Sequence, residues 1–171
     1  RPGLFPQPSP PFRQEPLVST LEAYFQGKKD LFGGLAMERW EKDWESYLVL
    51  HIDFSLTKYM ELTDLTGQLN LFLHRWEKIY GKDEAEKTAS ERLQGIILRA
   101  SEQIGKQVVV LIDEYDAPLL DSNSDTALQQ QLRNEMRKFF SPPQEVGAVS
   151  SLSLHHRHQQ VQPTEHLQRT E

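Results

Sequence analysis

The sequence predicts an α/β fold in which helices flank an incomplete parallel sheet, with disordered segments at both ends. Residues 108–112 form the unbroken apolar run Val-Val-Val-Leu-Ile, and a run without alternation is typical of a strand buried on both faces. A second run at 47–55 is separated from the first by helical patterns, so strands and helices alternate as in parallel sheets. Six of the ten prolines lie in residues 1–16 and four of the six histidines in residues 155–166. These shifts in composition divide the chain into a Pro-rich segment (1–16), a globular middle (17–141) and a His/Gln-rich segment (142–171).

The first elements of the middle are predicted from helical spacing and from residues that stop helices. A helix should begin at Leu17 and stop near Gly27, because glycine is favoured just past a helix end. Asp30 is expected to cap a short second helix. Trp40 and Trp44 are expected to be packing anchors, after which the strand at 47–55 follows.

Three longer elements complete the middle. The apolar face of a long helix consists of Leu62, Leu65, Leu69, Phe72, Leu73, Trp76, Ile79 and Tyr80, and Gly81 closes it. A capping box at residues 88–91, Thr-Ala-Ser-Glu, opens the next helix, which Gly105 ends. After the strand at 108–112 and a polar loop at 121–125, a last helix carries Leu128, Leu132, Met136, Phe139 and Phe140.

Composition and charge exclude several classes of protein. The net charge is −6 and the pI about 5.5, so there is no global basic surface for nucleic acid. Cysteine is absent, which excludes disulfides and thiolate metal sites and fits a reducing compartment. No apolar run is long enough to span a membrane, and no signal peptide is visible. A cytoplasmic protein is therefore expected.

Two acids follow the apolar run at 108–112, and their position suggests a site. Asp113 and Glu114 would lie at the carboxyl end of a buried parallel strand, where open α/β sheets bind ligands. One carboxylate can hold Mg²⁺ and the next can orient or deprotonate a water molecule, as in the Walker B element of nucleotide sites. Taken alone, an Asp-Glu turn after a buried strand also occurs in folds that bind no nucleotide.

The middle of the chain resembles the bacterial AAA-ATPase-like family, which has a P-loop ATPase-like domain often followed by a nuclease-like domain. The most specific part of the resemblance is VVVLIDEYDAPLL at residues 108–120. The resemblance implies an incomplete P-loop NTPase-like sheet, Mg²⁺ and ATP as cofactors of the intact family, Asp113 as the metal ligand and Glu114 as the catalytic residue that activates water.

The phosphate-binding half of that site departs from the family pattern. The family signature ahead of the first helix is RPRRFGKSL, in which GKS holds phosphates through backbone N–H groups, lysine and hydroxyl. Here Arg13, Gln14 and Glu15 occupy the corresponding places. The sequence therefore predicts that this chain has no cofactor-binding residue of its own, binds no nucleotide and hydrolyses no ATP.

A change of reading frame accounts for both ends. Residues 8–16 can be encoded by codons that, translated from one base later, give RPRRFGKS and the first two bases of a leucine codon. With the same offset, codons for residues 3–7 can give VYFLS. From residue 143 the same offset permits LKKWEQYLRFLFITG, which contains a buried strand. On this hypothesis the histidines at 155, 156, 158 and 166 form no biological metal site.

Two other functions were considered from the sequence. The chain could be a non-enzymatic product, either a truncated or pseudogene product or a small interaction module, whose exposed apolar surface on the strand at 108 and on neighbouring helices promotes self-association or binds a partner. A metal-dependent nuclease built on the same acids is weakly supported, since no lysine follows them at short spacing and no basic stripe is visible.

Overall fold

The structure, a computed structural model, describes residues 17–122, 124–141 and 150–153, the last range by its backbone. The described helices are α1 (Leu17–Phe25), α2 (Ala36–Trp40), α3 (Leu62–Tyr80), α4 (Ala89–Ile104), α5 (Ala117–Asp121) and α6 (Thr126–Phe139), with 3₁₀ turns at Lys29–Phe32 and Phe54–Leu56. The described strands are β1 (Leu48–Asp53), β2 (Val108–Asp113) and β3 (Ser150–Ser153). The mixed α/β fold predicted from the sequence is thus confirmed for these residues.

The strands form one parallel sheet in the order β1-β2-β3. β1 pairs with β2 along its whole length, from Leu48 opposite Val108 to Asp53 opposite Asp113. Parallel neighbours need a long crossover, and α3 and α4 supply it between β1 and β2. The carboxyl ends of β1 and β2 therefore lie at the same edge of the sheet.

The apolar run in β2 is buried on both faces, as predicted. Residues 108–112 are each 0–3% exposed. Val108, Val110 and Ile112 belong to the large core, whereas Val109 and Leu111 pack with Val18 of α1 on the other face. The expectation that this strand would present bare apolar surface is wrong. β2 lies between β1 and β3 in the sheet, and helices cover both of its faces.

Helices α3, α4 and α6 form the layer that covers the large core. Their buried apolar residues are Leu65, Leu69, Phe72, Leu73, Trp76, Leu93, Ile96, Ile97, Ala100, Leu132, Met136 and Phe139. The predicted capping box of α4 is present: Glu91 N donates to Thr88 Oγ1 (3.2 Å), and Thr88 N donates to Glu91 Oε2 (2.8 Å). Gly105 ends the helix in the left-handed conformation (φ 67°), as expected for a helix-terminating glycine.

Two arginines of α4 bind one acid on α3 and one in the loop between α3 and α4. Arg92 donates to both carboxylate oxygens of Glu77 (2.6 and 3.0 Å) and to Asn70 Oδ1 (2.6 Å). Arg99 binds both oxygens of Glu86 and the carbonyl of Gly81. Planar guanidinium groups match carboxylates in this bidentate way, and the two forks fix how α4 lies on α3.

The segment between α1 and β1 differs from the prediction. Asp30 lies inside the 3₁₀ turn rather than capping a helix, and the expected helix is divided into that turn and the five-residue α2. Trp40 is 79% exposed, so its predicted packing role is wrong; α2 ends at this residue. Trp44 does pack, with its ring centroid 5.0 Å from Phe32 and 5.8 Å from Tyr24.

The two end segments lie almost wholly outside the described residues. The exception is β3, which falls within 142–171, where the sequence predicts disorder; at these four residues the structure has a strand. Helix α5 was also not expected, since it occupies residues that the sequence assigns to the end of the strand and the loop beyond it.

Across the part of the chain that is described, no helix has both the length and the apolarity needed to cross a membrane.

Candidate functional site

Two aspartates lie side by side at the carboxyl edge of the sheet. Asp53 ends β1 and Asp113 ends β2, and the two are paired in the strand register. Neighbouring strands are about 4.8 Å apart, so two carboxylates project from adjacent backbone positions. Parallel sheets bind ligands at this edge.

Both aspartates belong to the face of the sheet that α1 covers. Side chains alternate along a strand, and Val109 and Leu111 of β2 pack with Val18 of α1, which assigns Asp113 to the same face. On β1, Val49 packs on this cluster, and His51 Nδ1 lies 3.8 Å from Glu22 of α1. Asp53 continues that alternation, so Asp53 and Asp113 share a face.

Helix α1 begins at this edge and runs away from it. The carbonyl of Phe25, its last residue, accepts a hydrogen bond from the N–H of Tyr47 (2.7 Å), directly before β1. The end of α1 therefore lies at the amino edge of the sheet, and its first turn, which contains no acid, points toward the carboxyl edge. Helix N-termini present unpaired N–H groups and a partial positive charge, which favour anions.

The two carboxylates are held by the backbone that follows them. Asp53 Oδ1 accepts from Ser55 N (2.8 Å), and Asp113 Oδ1 accepts from Glu114 N (3.0 Å). Both aspartates are partly buried. No described Lys, Arg or His forms an ion pair with either of them.

Glu114 has a strained backbone. Its φ is +50°, a left-handed conformation that costs an L-residue with a Cβ roughly 1–2 kcal/mol. The turn is closed by a hydrogen bond from Ala117 N to the Glu114 carbonyl (2.9 Å), from which α5 starts. Residues held in such conformations are concentrated at functional sites, so the strain supports a role for this turn beyond folding.

Asp116 contributes a third carboxylate to the same turn. Its Oδ1 atom is buried and, among the described residues, has no hydrogen-bond partner. It is the N-cap residue of α5, but its side chain makes no cap hydrogen bond. A buried acceptor without a partner costs about 1–3 kcal/mol, which suggests that the turn is shaped for a donor or cation.

The donor set fits Mg²⁺ better than a transition metal. Within the described residues no three His, Cys, Asp or Glu side chains are grouped to hold a metal, as a tetrahedral zinc site would require. Mg²⁺ in nucleotide sites is bound by one or two carboxylates together with waters and substrate phosphates. Asp53 and Asp113 provide such oxygens. The histidines at 155, 156, 158 and 166 lie outside the described residues.

Two open clefts lie elsewhere, at the amino edge of the sheet. One of about 200 Å³ is lined by Tyr24, Glu41, Asp43, Trp44, Glu45 and Tyr47. The other, about 400 Å³, is lined by residues 45–47 and 105–107. Neither of these two clefts includes Asp113 or Glu114.

The sequence analysis predicted Asp113 and Glu114 as site residues and did not predict Asp53 or Asp116. The structure places both predicted residues at the carboxyl end of β2, one as the last strand residue and one in the strained turn. Asp53 had a usable signal, because it lies near the carboxyl end of the predicted strand at 47–55, and parallel strands bring their carboxyl ends to the same edge. Its exact register with Asp113 and the unpaired oxygen of Asp116 required the tertiary structure.

Comparison with known proteins assigns the chain to a family. The family model described as "Predicted AAA-ATPase" matches residues 12–152. The chain is 31% identical over 132 residues to an uncharacterized protein in the vnfD 5′ region of Azotobacter chroococcum mcd 1, a match that covers 76% of this chain and 25% of that protein. The chain thus spans about a quarter of the length of this relative. No solved structure matches it. With the family match extending over most of its length, the chain belongs to the predicted AAA-ATPase family.

Proposed function

We propose that the chain carries the metal and water half of an ATPase site, with Asp113 as the Mg²⁺ ligand and Glu114 as the residue that orients and deprotonates the attacking water. The observation that carries the proposal is the position of Asp113, which ends a buried parallel strand on the face and at the edge where α1 begins. A bound Mg²⁺ neutralises charge on the phosphates. Family membership supports the same assignment.

In the same proposal, the chain as written does not hydrolyse ATP. The residues that enter α1 include Arg13, Gln14 and Glu15, which offer neither the glycine nor the lysine and hydroxyl that a phosphate loop uses. Gly-Lys pairs do occur at 27, 81 and 105. Each of these glycines has a positive φ and follows a helix, whereas a phosphate loop leads into one.

The frame hypothesis supplies a variant that tests both halves of the proposal. A chain with residues 3–16 replaced by VYFLSRPRRFGKSL would regain the phosphate loop while keeping every residue of the described body. We expect millimolar Mg²⁺-ATP to leave the melting temperature of the original chain unchanged and to raise that of the restored chain. A ligand at a hundred times its Kd stabilises the folded form by about 2.7 kcal/mol.

Matched controls separate binding from hydrolysis. In the restored chain, alanine at the loop lysine should abolish the ATP-dependent shift, whereas Glu114→Gln should keep the shift and lose hydrolysis. Hydrolysis by the original chain that Glu114→Gln removes would refute its proposed inactivity. A restored chain that folds but shows no shift would refute the assignment of the site. Sequencing the DNA across the codons for residues 15–17 and 141–144 tests the frame hypothesis directly.

A second candidate function, a non-enzymatic interaction module, is favoured by one surface. The segment 31–40 contains four exposed large apolar side chains, Leu31, Leu35, Met37 and Trp40, at 66, 54, 39 and 79% exposure. Clustered exposed apolar residues mark interaction surfaces or aggregation sites. Sedimentation equilibrium tests whether this surface causes self-association. A defined dimer that Trp40→Ser dissociates would support the interaction module. A monomer at high concentration would argue against self-association.

A further inference from the structure

We infer that Asp53 is a second carboxylate of the magnesium site, acting together with Asp113. The inference rests on the proposed function, because it adds a residue to the site assigned there. It is carried by the strand register, which pairs the last residue of β1 with the last residue of β2, and by the alternation that turns both toward the α1 face.

The two groups supply the oxygen donors that a divalent cation takes. Asp53 and Asp113 end adjacent strands on the same face of the sheet, and carboxylate oxygens are ligands of Mg²⁺ in proteins. Within the described residues no ion pair compensates either carboxylate. One oxygen of each is occupied by a backbone N–H, of Ser55 and Glu114, which fixes the orientation of the two groups. Mg²⁺ accepts one or two such carboxylates and completes its shell with water and phosphate oxygens.

A purely structural role for Asp53 can be separated from metal binding. The hydrogen bond from Ser55 N to Asp53 Oδ1 stabilises the turn Phe54–Leu56, and an asparagine keeps that acceptor while losing the charge. Asp53→Asn should therefore fold as the wild type does. Asp113→Asn keeps the equivalent acceptor for Glu114 N. The pair of variants isolates charge from turn geometry.

The test uses Mn²⁺ alone as a paramagnetic probe, since it shares the oxygen preference of Mg²⁺. In ¹⁵N spectra of the purified chain, substoichiometric Mn²⁺ should broaden the amide signals of Ser55 and Glu114 selectively, and excess Mg²⁺ should reverse the broadening. Asp53→Asn and Asp113→Asn should each raise the Mn²⁺ concentration that gives half-maximal broadening by about tenfold or more. A loss of this size is typical when a metal site loses supporting groups. Asp30→Asn, in the exposed 3₁₀ turn after α1, is the control and should change nothing.

Each outcome decides between the two claims. Wild-type broadening in Asp53→Asn together with its loss in Asp113→Asn would overturn the role of Asp53 and leave the proposed metal ligand standing. No selective broadening in the wild type would overturn both the role of Asp53 and the metal assignment of Asp113. An equal effect of Asp30→Asn would show that the probe reports net charge, and would overturn the inference as well.

Discussion

Replacing Arg92 by methionine should destabilise the protein more than any change to an exposed ion pair. Arg92 donates three hydrogen bonds, two to Glu77 and one to Asn70. The Glu77 side chain is 5% exposed and that of Arg92 18%, so the substitution leaves a carboxylate buried without its partner. Breaking a buried pair in this way costs about 3–5 kcal/mol. Because water reaches Arg92 in part, we expect the lower end, about 3 kcal/mol, or roughly 10 °C in Tm for a body of this size.

Urea unfolding at pH 7, followed by the fluorescence of the neighbouring Trp76, measures this loss. Adding Glu77→Gln to Arg92→Met removes the buried charge and should recover about half of the lost free energy, since paired groups are not additive. Lys138→Met is the control: Lys138 is 76% exposed and lies 3.5 Å from Glu135, and such surface pairs contribute about 0–1 kcal/mol. A loss below about 0.5 kcal/mol for Arg92→Met, or a double variant no more stable than the single one, would refute the reasoning.

The pH dependence gives a second check on the same pair. The hydrogen bonds from Arg92 hold the pKa of Glu77 below its ordinary value, against the opposing effect of burial. A carboxylate whose pKa is lower in the folded state stabilises the folded protein at pH values above its unfolded pKa, about 4.3. This stabilisation is lost as the pH falls through the folded-state pKa. The difference in unfolding free energy between wild type and Arg92→Met should therefore be full at pH 7 and shrink as acid protonates Glu77, which begins at higher pH in the variant because its buried carboxylate has lost its partner. A difference that stays constant down to pH 3 would contradict this account.

Three further predictions test the local physics of the fold. Thr88→Ala removes one half of the capping box at α4 and should lower the free energy of unfolding in urea by about 1 kcal/mol. Thr57→Ala is the control, because the Thr57 side chain makes no cap hydrogen bond among the described residues. Leu111→Ala empties a site with 0% exposure between β2 and α1 and should cost about 2–5 kcal/mol; a loss under about 1 kcal/mol would mean that this second, smaller core is loosely packed. Glu114→Gly should be about 1 kcal/mol more stable than Glu114→Ala, because both variants lose the carboxylate and only glycine adopts the positive φ without strain; equal midpoints for these two variants would show that the turn is not strained.

The sequence by itself determined the elements whose signals are local. Hydrophobic spacing predicted α1, α3, α4 and α6, and the capping box and terminal glycines placed the ends of α4 and α3, because caps depend on residues a few positions apart. The apolar run at 108–112 predicted a strand buried on both faces, since exposing either face of such a run to water is unfavourable. The acids after this run singled out Asp113 and Glu114, and residues 108–120 were the most specific part of the resemblance to the family.

Only the tertiary structure decided what depends on contacts between distant segments. Asp53 joins Asp113 because strand pairing sets a register across the whole crossover, and no local pattern encodes that register. Trp40 and Trp44 have the same spacing signal, yet only Trp44 packs, since the chain turns after α2 and brings just one of them back to Phe32 and Tyr24. The Arg92–Glu77 fork likewise joins residues 15 positions apart. These features depend on how helices and strands meet, and that is settled by packing of the whole body rather than by the propensities of its parts.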